Sequence, residues 1–374
     1  MSMPFHNIYH NLPVLVTGHT GFKGSWLTTW LLELGAKVIG YSLPEPPTTP
    51  SNFALAQLGP RITDLRGDIC DFAQLHQIIA DHQPRLIFHL AAQSIVTNSV
   101  QQPRRTMEIN AGGTVNLLEA IRQTNSVRAL ICVTTDRVYQ HEGWLWGYRE
   151  HDKLGGRDPY SASKAMTELA VQAYRETYFP ARSYGEHGVA LASARADNVI
   201  GGGDFGAFRL VPDCMRALLA GEAIGLRNPL SIRPWQHVLE PLSGYLWLGA
   251  KLLTEGTAVA EAWNFGPLEQ TGISTQQIAE KLIELWGSGS WQQMSSELGG
   301  TAVSQSRLNW EKAATRLGWQ PIYHWQQSLA EIAAWFKAFQ AQADMHQICR
   351  QHILDYTQQA KACNLLWAMP PAPH

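Results

Sequence analysis

Short, wholly apolar runs alternate along this chain with longer stretches in which apolar residues recur at helical spacing. Residues 13–16, 37–41, 85–90, 129–133 and 189–195 read as buried strands, and a further strand is expected just before Asp68. Between them, residues 22–34, 72–81, 104–124 and 162–178 carry helical periodicity, with Gly35 placed to stop the first. Regular alternation of this kind predicts an α/β fold, a Rossmann-type doubly wound parallel sheet, with its binding site at the C-terminal ends of the strands. The pattern changes after residue 195, where Gly201-Gly202-Gly203 interrupts it and Pro212, Pro229, Pro234, Pro241 and Pro267 punctuate the second half of the chain. Residues 10–195 are therefore expected to form the main domain and 196–340 a smaller, interleaved C-terminal lobe. Residues 341–374 form a partly helical tail, frayed at Met369-Pro-Pro-Ala-Pro-His374.

The turn after the first strand carries the first candidate chemistry. Gly18-His-Thr20-Gly21-Phe22-Lys23-Gly24 places glycine at i, i+3 and i+6 between a strand and a helix. A diphosphate must approach bare backbone N–H groups there, and the helix N-terminus adds partial positive charge. The glycine triplet in this context predicts a dinucleotide site, so the main domain is a cofactor domain and the smaller lobe a substrate-binding one. An acid usually ends the second strand and holds the adenosine ribose, favouring NAD over NADP. Here Tyr41-Ser42-Leu43 stands instead, which with Lys23 and His19 in the loop leaves NADP open. Asp68 either hydrogen-bonds the adenine or acts as a helix cap or turn carboxylate before Phe72.

A second constellation lies at Tyr160 and Lys164, which share one helix face at i and i+4. A tyrosine is a poor base at its ordinary pKa near 10. A nearby ammonium is expected to favour the phenolate, which then takes an alcohol proton while hydride leaves the carbon. Val133-Thr134-Thr135-Asp136 ends a buried strand upstream, where a hydroxyl can bind the same oxygen, and Asn110 lies in the preceding helix.

Composition narrows the field. With 374 residues and 45% hydrophobic content the chain can bury a large core without disulfides, and its 16% charged residues argue against disorder. A formal net charge of -2 argues against nucleic-acid binding while permitting a local basic pocket. Cys70, Cys132, Cys214, Cys349 and Cys363 are odd in number and widely spaced, which fits a reduced, cytoplasmic protein. The N-terminus lacks the pattern of a signal peptide, and no run has the length of a membrane span. His346, Cys349 and His352 mimic a metal cluster but lack a fourth ligand, so no metal is expected.

Strand-end Thr135, Tyr160 and Lys164, in that order after a glycine loop, resemble the short-chain dehydrogenase/reductase superfamily. Phe88-His-Leu-Ala-Ala-Gln93 is similar to a signature of its extended branch. Within that branch residues 10–335 resemble the CDP-glucose 4,6-dehydratases. The resemblance is carried by Thr17-Gly-His-Thr-Gly-Phe-Lys-Gly-Ser-Trp-Leu27, Trp144-Leu-Trp-Gly-Tyr-Arg-Glu150, Leu154-Gly-Gly-Arg-Asp-Pro-Tyr-Ser161, Asn198-Val-Ile-Gly-Gly-Gly-Asp204, Arg233-Pro-Trp-Gln-His-Val-Leu-Glu-Pro241 and Trp263-Asn-Phe-Gly-Pro267.

The resemblance implies NAD as cofactor, held by Gly18 to Gly24, Asp68, Ile69, Leu90, Ala91, Ala92 and Gln93 with Tyr160 and Lys164. It implies catalysis by Thr135, Asp136, Arg137, Tyr160 and Lys164. The reaction would be an internal redox cycle on a nucleotide sugar: C4 oxidation, loss of water across C5 and C6 with Asp136 as acid, and hydride return to C6. Arg209 and Arg233 are the diphosphate candidates, because planar guanidinium forks suit phosphate oxygens. Asn198, Gln236 and His237 would help hold the sugar nucleotide, and Trp144, Trp146 and Trp235 would shape its pocket or pack the core. A homo-oligomer, dimer or larger, is implied by the branch.

Three positions depart from the family pattern. Arg137 stands where a Glu or Lys is expected. A guanidinium stays protonated and is a poor base. Arg137 is therefore expected to stabilise the enolate while water or another group takes the proton; otherwise the elimination is altered or lost. Asp197 stands where Gly is expected, and Phe208 where an acid is. The rival readings are a nucleotide-sugar 4-epimerase or reductase of the same branch, and a non-catalytic dinucleotide-binding protein.

Overall fold

A computed structural model describes residues 4–269, 271–294 and 307–370. Its centre is a seven-stranded parallel sheet. Strands β1 (Pro13–Thr17), β2 (Lys37–Ser42), β3 (Thr63–Arg66), β4 (Leu86–His89), β5 (Ala129–Val133) and β6 (Ala190–Ala196) run in the order 6-5-4-1-2-3. The strand Ala262–Phe265 returns from the second half of the chain to pair with β6 at the edge. The inner strands are buried on both faces because helices cover both, whereas the edge strand β3 is polar and partly exposed. Val14 and Val16 enter one core, and Leu15 between them enters the other; Phe88 and Ile87 split in the same way. Each such side chain, removed from water, contributes roughly 1.5–3 kcal/mol before the entropy of ordering it is counted.

The order of the strands reverses between β1 and β4, which opens a crevice at their C-terminal ends. The turn into helix α1 (Phe22–Glu33) lies there, as does the segment after β4. The helical stretch expected at 104–124 is present as Pro103–Met107 and Gly113–Arg122, joined by a π-helical turn at Glu108–Gly112. Insertions of this kind recur at functional sites, and this one carries Asn110. The helix expected from residue 162 begins earlier, at Pro159, capped by the Asp158 carboxylate, which accepts from Ser161 N. Tyr160 therefore sits in the first helical turn.

The tail is built into the main body. Helix Met345–Ala362 packs on α1, with Trp30 edge-on to Tyr356 at 5.8 Å, and Trp367 stacks on Phe5 at 4.9 Å. The buried Glu240 carboxylate accepts from Ile322 N, Tyr323 N and Tyr356 Oη, and burial pushes its pKa up to about 7. Residues 371–374 of the expected frayed end lie outside the described residues. Cys349 takes a hydrogen bond from Trp335 Nε1 and donates to Asn52 Oδ1; His352 faces Glu331. All five cysteines are free thiols. No helix among the described residues is long and apolar enough to cross a membrane.

Candidate active site at the reversal of strand order

The glycine turn is shaped by sterics. Gly18 adopts φ +77°, and a Cβ there would lie 2.7 Å from Ala91 N; at Gly24 it would lie 2.1 Å from Gly18 O. A Cβ at Gly21 would press on Gly18 O at 3.3 Å and meet nothing else within 4 Å, so this position is tight on one side only. Gly21 is the N-cap of α1, no side chain caps it, and the first turn holds no acid. The free N–H groups and the open face make a cradle for a dinucleotide diphosphate. Behind it, Ala91 N donates to Thr17 Oγ1, and His89 bridges Thr17 and Thr114.

Beside the glycine turn the end of β2 is as the sequence reads. The end of β2 carries no acid, yet an acid is present. Asp64, from the neighbouring β3, pairs with His19 Nε2 at 2.9 Å and with Arg66 at 2.7 Å. His19 Nδ1 meets Ser42 Oγ at 2.9 Å, and its ring occupies the space where residue 40 would carry a Cβ. Asp68 accepts from Cys70 N and pairs with Arg105, while Asp71 caps the helix Phe72–His82. The turn-carboxylate reading of Asp68 thus matches its contacts, and its helix-cap reading does not. Ile69 is buried in the core beside Gly113, and Leu90 follows β4 at the turn. Gln93 is held by its backbone: its N–H donates to Asn110 Oδ1 and its C=O accepts from Asn110 Nδ2, which also donates to Ser163. Its side chain folds back onto Ile95 and Thr106 rather than outward.

The catalytic candidates converge beyond β5. Thr135, Asp136, Tyr160 and Lys164 are all buried. Thr135 Oγ1 donates to Asp136 Oδ1 at 2.8 Å, and the Thr135 hydroxyl lies close to the Tyr160 phenol. Burial raises the Tyr160 pKa and the Asp136 charge adds to this; the Thr135 hydroxyl, Arg137 and Arg209 oppose it. The ammonium expected to lower it, on Lys164, instead donates to Val133 O at 3.1 Å, and burial lowers its own pKa. Lys23 reaches the same cleft from the glycine loop. Burial, with Lys164 and Arg209 nearby, lowers it to about 7. Arg137 turns toward Asp158, at 3.9 Å.

Of the expected substrate contacts, Arg209 and Arg233 face this cluster. Arg209 pairs with Asp204 at 3.1 Å and reaches Ser94, while Arg233 lies near Asp136 and Arg137. Asn198 donates to Pro234 O. Gln236 and His237 are not brought to the cluster. Their strand, Trp235–His237, pairs with Asn198–Ile200 in the interior, where Gln236 donates to Phe265 O and His237 packs edge-on to Trp26. Trp235 Nε1 is tied to Ile273 O, whereas Trp144 stacks between Trp146 and Tyr148 on a loop beside the site. Asp197, the unexpected acid, accepts from Leu308 N, and burial holds its pKa well above the ordinary carboxylate range. Phe208 is exposed under the Arg227 guanidinium.

Sequence reading missed one further group. Glu168 and Arg195, each 3% exposed, form a bidentate pair beneath the site, and Glu168 also receives Thr134 and Ser193. Nothing in the local sequence announces a partnership between a helix and a strand 27 residues apart.

The chain is similar to several known proteins. Residues 15–332 match the family described as GDP-mannose 4,6 dehydratase. A Salmonella typhimurium protein described as CDP-glucose 4,6-dehydratase is 43% identical over 94% of this chain and 97% of its own length. A dTDP-glucose 4,6-dehydratase from an Actinoplanes species is 29% identical over 87% of this chain and 98% of its own. Among solved structures, the Streptomyces venezuelae dTDP-glucose 4,6-dehydratase with NAD and TYD bound has a TM-score of 0.74 at 24% identity, covering 90% of this chain and all of that one. The UDP-glucose 4-epimerase of Thermotoga maritima has the same score and identity, covering 88% of this chain and 99% of its own.

Proposed function

As a member of the GDP-mannose 4,6-dehydratase family, within the extended short-chain dehydrogenases/reductases, this chain is, we propose, a lyase that converts CDP-D-glucose to CDP-4-keto-6-deoxy-D-glucose. The observation that carries this reading is the junction of Asp136, Thr135 and Tyr160 at the end of β5. A dehydrogenase needs only the hydroxyl and the phenol. A carboxyl beside them supplies the proton that makes a sugar hydroxyl leave as water.

NAD fits the uncapped glycine turn, and there it supplies the acceptor and donor of hydride. The chain's own residues do the rest. Tyr160 takes the 4-hydroxyl proton, with Thr135 hydrogen-bonded to the same oxygen. Lys164, anchored on Val133 O, holds positive charge below the site. The 4-ketone makes the C5 proton acidic, and Arg137 stabilises the charge that develops on the ketone oxygen. Asp136 protonates the departing 6-hydroxyl. Arg209 and Arg233 clamp the diphosphate, and Asn198 is tied to Pro234 O, next to Arg233. The chain works as a homo-oligomer in a reducing, cytoplasmic setting, for which its unpaired cysteines are suited.

One observation favours a second reading. Arg137 is no base, and a 4-epimerase needs no elimination. Product analysis separates the two. A panel of nucleotide-linked glucoses is incubated with NAD or NADP and followed by mass spectrometry. Loss of one water from CDP-glucose with NAD, with a C6 methyl group in the proton spectrum, is expected. An unchanged mass with inverted C4 would establish the epimerase instead, and no reaction at all would favour a binding protein.

A further inference from the structure

Resting on the dehydratase reading, the structure gives the Gly201-Gly202-Gly203 run a purpose: we propose that it forms a joint with Trp26 and Asn52 that holds the cofactor cradle and the diphosphate clamp in register. Trp26 and Asn52 are then positioning residues for hydride transfer. Both lie behind the site, at 0% and 2% exposure.

The reaction makes a demand on register. Hydride leaves C4 and returns to C6, so the sugar must keep its place against the cradle through a whole cycle. Reacting atoms need to lie about 3–3.5 Å apart, and a misplacement of about 1 Å costs about 10²-fold in rate. The two half-sites come from distant parts of the chain. The cradle is the turn into α1, whereas the clamp follows residue 203, where Asp204 pairs with Arg209 at 3.1 Å.

Three glycines bring the segment before the clamp flat against its neighbours. Gly201 and Gly202 have no left-handed backbone, so close approach is what requires them. A Cβ on Gly201 would lie 2.9 Å from Phe22 Cζ, in the first turn of α1, and one on Gly202 would enter the Trp335 ring. The Gly202 carbonyl accepts from Trp26 Nε1 at 2.8 Å. Gly203 turns the chain at φ +77°, and a Cβ there would lie 2.6 Å from Asn52 Cβ. The next residue, Asp204, accepts from Gly206 N at 2.9 Å as well as from Arg209. A shift of this glycine run therefore moves the clamp.

Asn52 closes the joint on the cradle side. Its Nδ2 donates to Ser25 Oγ at 2.9 Å, and the Ser25 hydroxyl donates to Phe22 O at 2.8 Å. Ser25 N donates to the carbonyl of Gly21, the N-cap of the cradle. The Asn52 Oδ1 accepts from Cys349 Sγ at 3.5 Å, and Cys349 accepts from Trp335 Nε1 at 3.3 Å. Both ends of the amide are paired, so its partners set its orientation. A buried polar chain whose members are all paired rigidifies the elements that it joins.

The test makes Asn52→Ala, Trp26→Phe and Ser25→Ala in the full chain. NAD alone and CDP alone are titrated calorimetrically into each, which gives both affinities and the number of competent sites. Turnover of saturating CDP-glucose with saturating NAD is then expressed per NAD-binding site. Molecules that fail to fold are absent from the site count, so this kcat reports alignment rather than folding. Both affinities are expected to stay within about threefold of native, while kcat per site falls by about 10–100-fold in Asn52→Ala, and in the same direction in the other two. A kcat per site within about threefold of native in every variant overturns the proposal. So does a loss of NAD or CDP affinity as large as the loss of kcat, because the residues would then shape one half-site rather than join two. Absence of water release from the native enzyme would instead overturn the dehydratase reading, and kcat per site would be read on inversion at C4, which needs the same register.

Discussion

Replacing Tyr160 by Phe is expected to lower kcat by about 10²–10⁴-fold, the span typical of a lost general acid–base group, with cofactor affinity unchanged. The phenol is buried against the Thr135 hydroxyl, and burial makes it reluctant to ionise. What favours the phenolate in this fold is the Thr135 hydroxyl together with the charges of Arg137 and Arg209. The substitution removes one oxygen and leaves the ring, so packing is preserved. Steady-state kinetics with calorimetric titration of NAD separates the two effects. Full activity in the variant would mean that another group takes the 4-hydroxyl proton.

Arg195→Met is expected to destabilise the fold by about 3–5 kcal/mol, because it strands a buried carboxylate. Arg195 gives Nε and Nη2 to Glu168 at 2.9 and 2.8 Å and Nη1 to Tyr139 Oη at 2.7 Å, and its guanidinium lies 4.9 Å from the Tyr139 ring centre. Burial alone would raise the Glu168 pKa; Arg195 with the Ser193 and Thr134 hydroxyls holds it below the ordinary value. In the native protein this depressed pKa gives stability that is present above the ordinary glutamate range and is lost as pH falls through the folded value. In the variant burial is unopposed, the pKa rises, and acidification relieves the strain as Glu168 takes a proton. The stability gap, read from urea unfolding, should therefore narrow as pH falls from neutral. Arg195→Met combined with Glu168→Leu should recover much of the loss. A gap that is small, or independent of pH, would show that the pair contributes little.

The fold is legible where one physical signal dominates. The run 129–133 is apolar throughout, and β5 has those bounds, because a strand covered on both faces needs no alternation. Asp158-Pro159 is legible in principle as an N-cap followed by proline at the first helical position, yet the apolar periodicity starts later and points to residue 162. The π-helical turn at Glu108–Gly112 leaves helical periodicity intact on both sides, so pattern reading passes through it. Ala262–Phe265 joins the main sheet from far along the chain, a pairing that only topology reveals.

The site divides in the same way. Gly18, Gly21, Gly24, Tyr160 and Lys164 are readable because their spacing is local and the chemistry demands it. Asp64 and the Glu168–Arg195 pair are not, since each meets its partners on other elements. Gln236 and His237 show the converse: a motif marks them, but the strand that carries them runs inward.

The central claim is that the hydrogen removed from C4 returns to C6 of the same sugar after water is lost. It is tested most directly with CDP-glucose deuterated at C4, turned over in ordinary water with catalytic NAD. A 4-keto-6-deoxy product with the deuterium at C6, and no net reduced cofactor, is the predicted result. Deuterium at C4 of an inverted sugar, or its accumulation in free reduced cofactor, would contradict it.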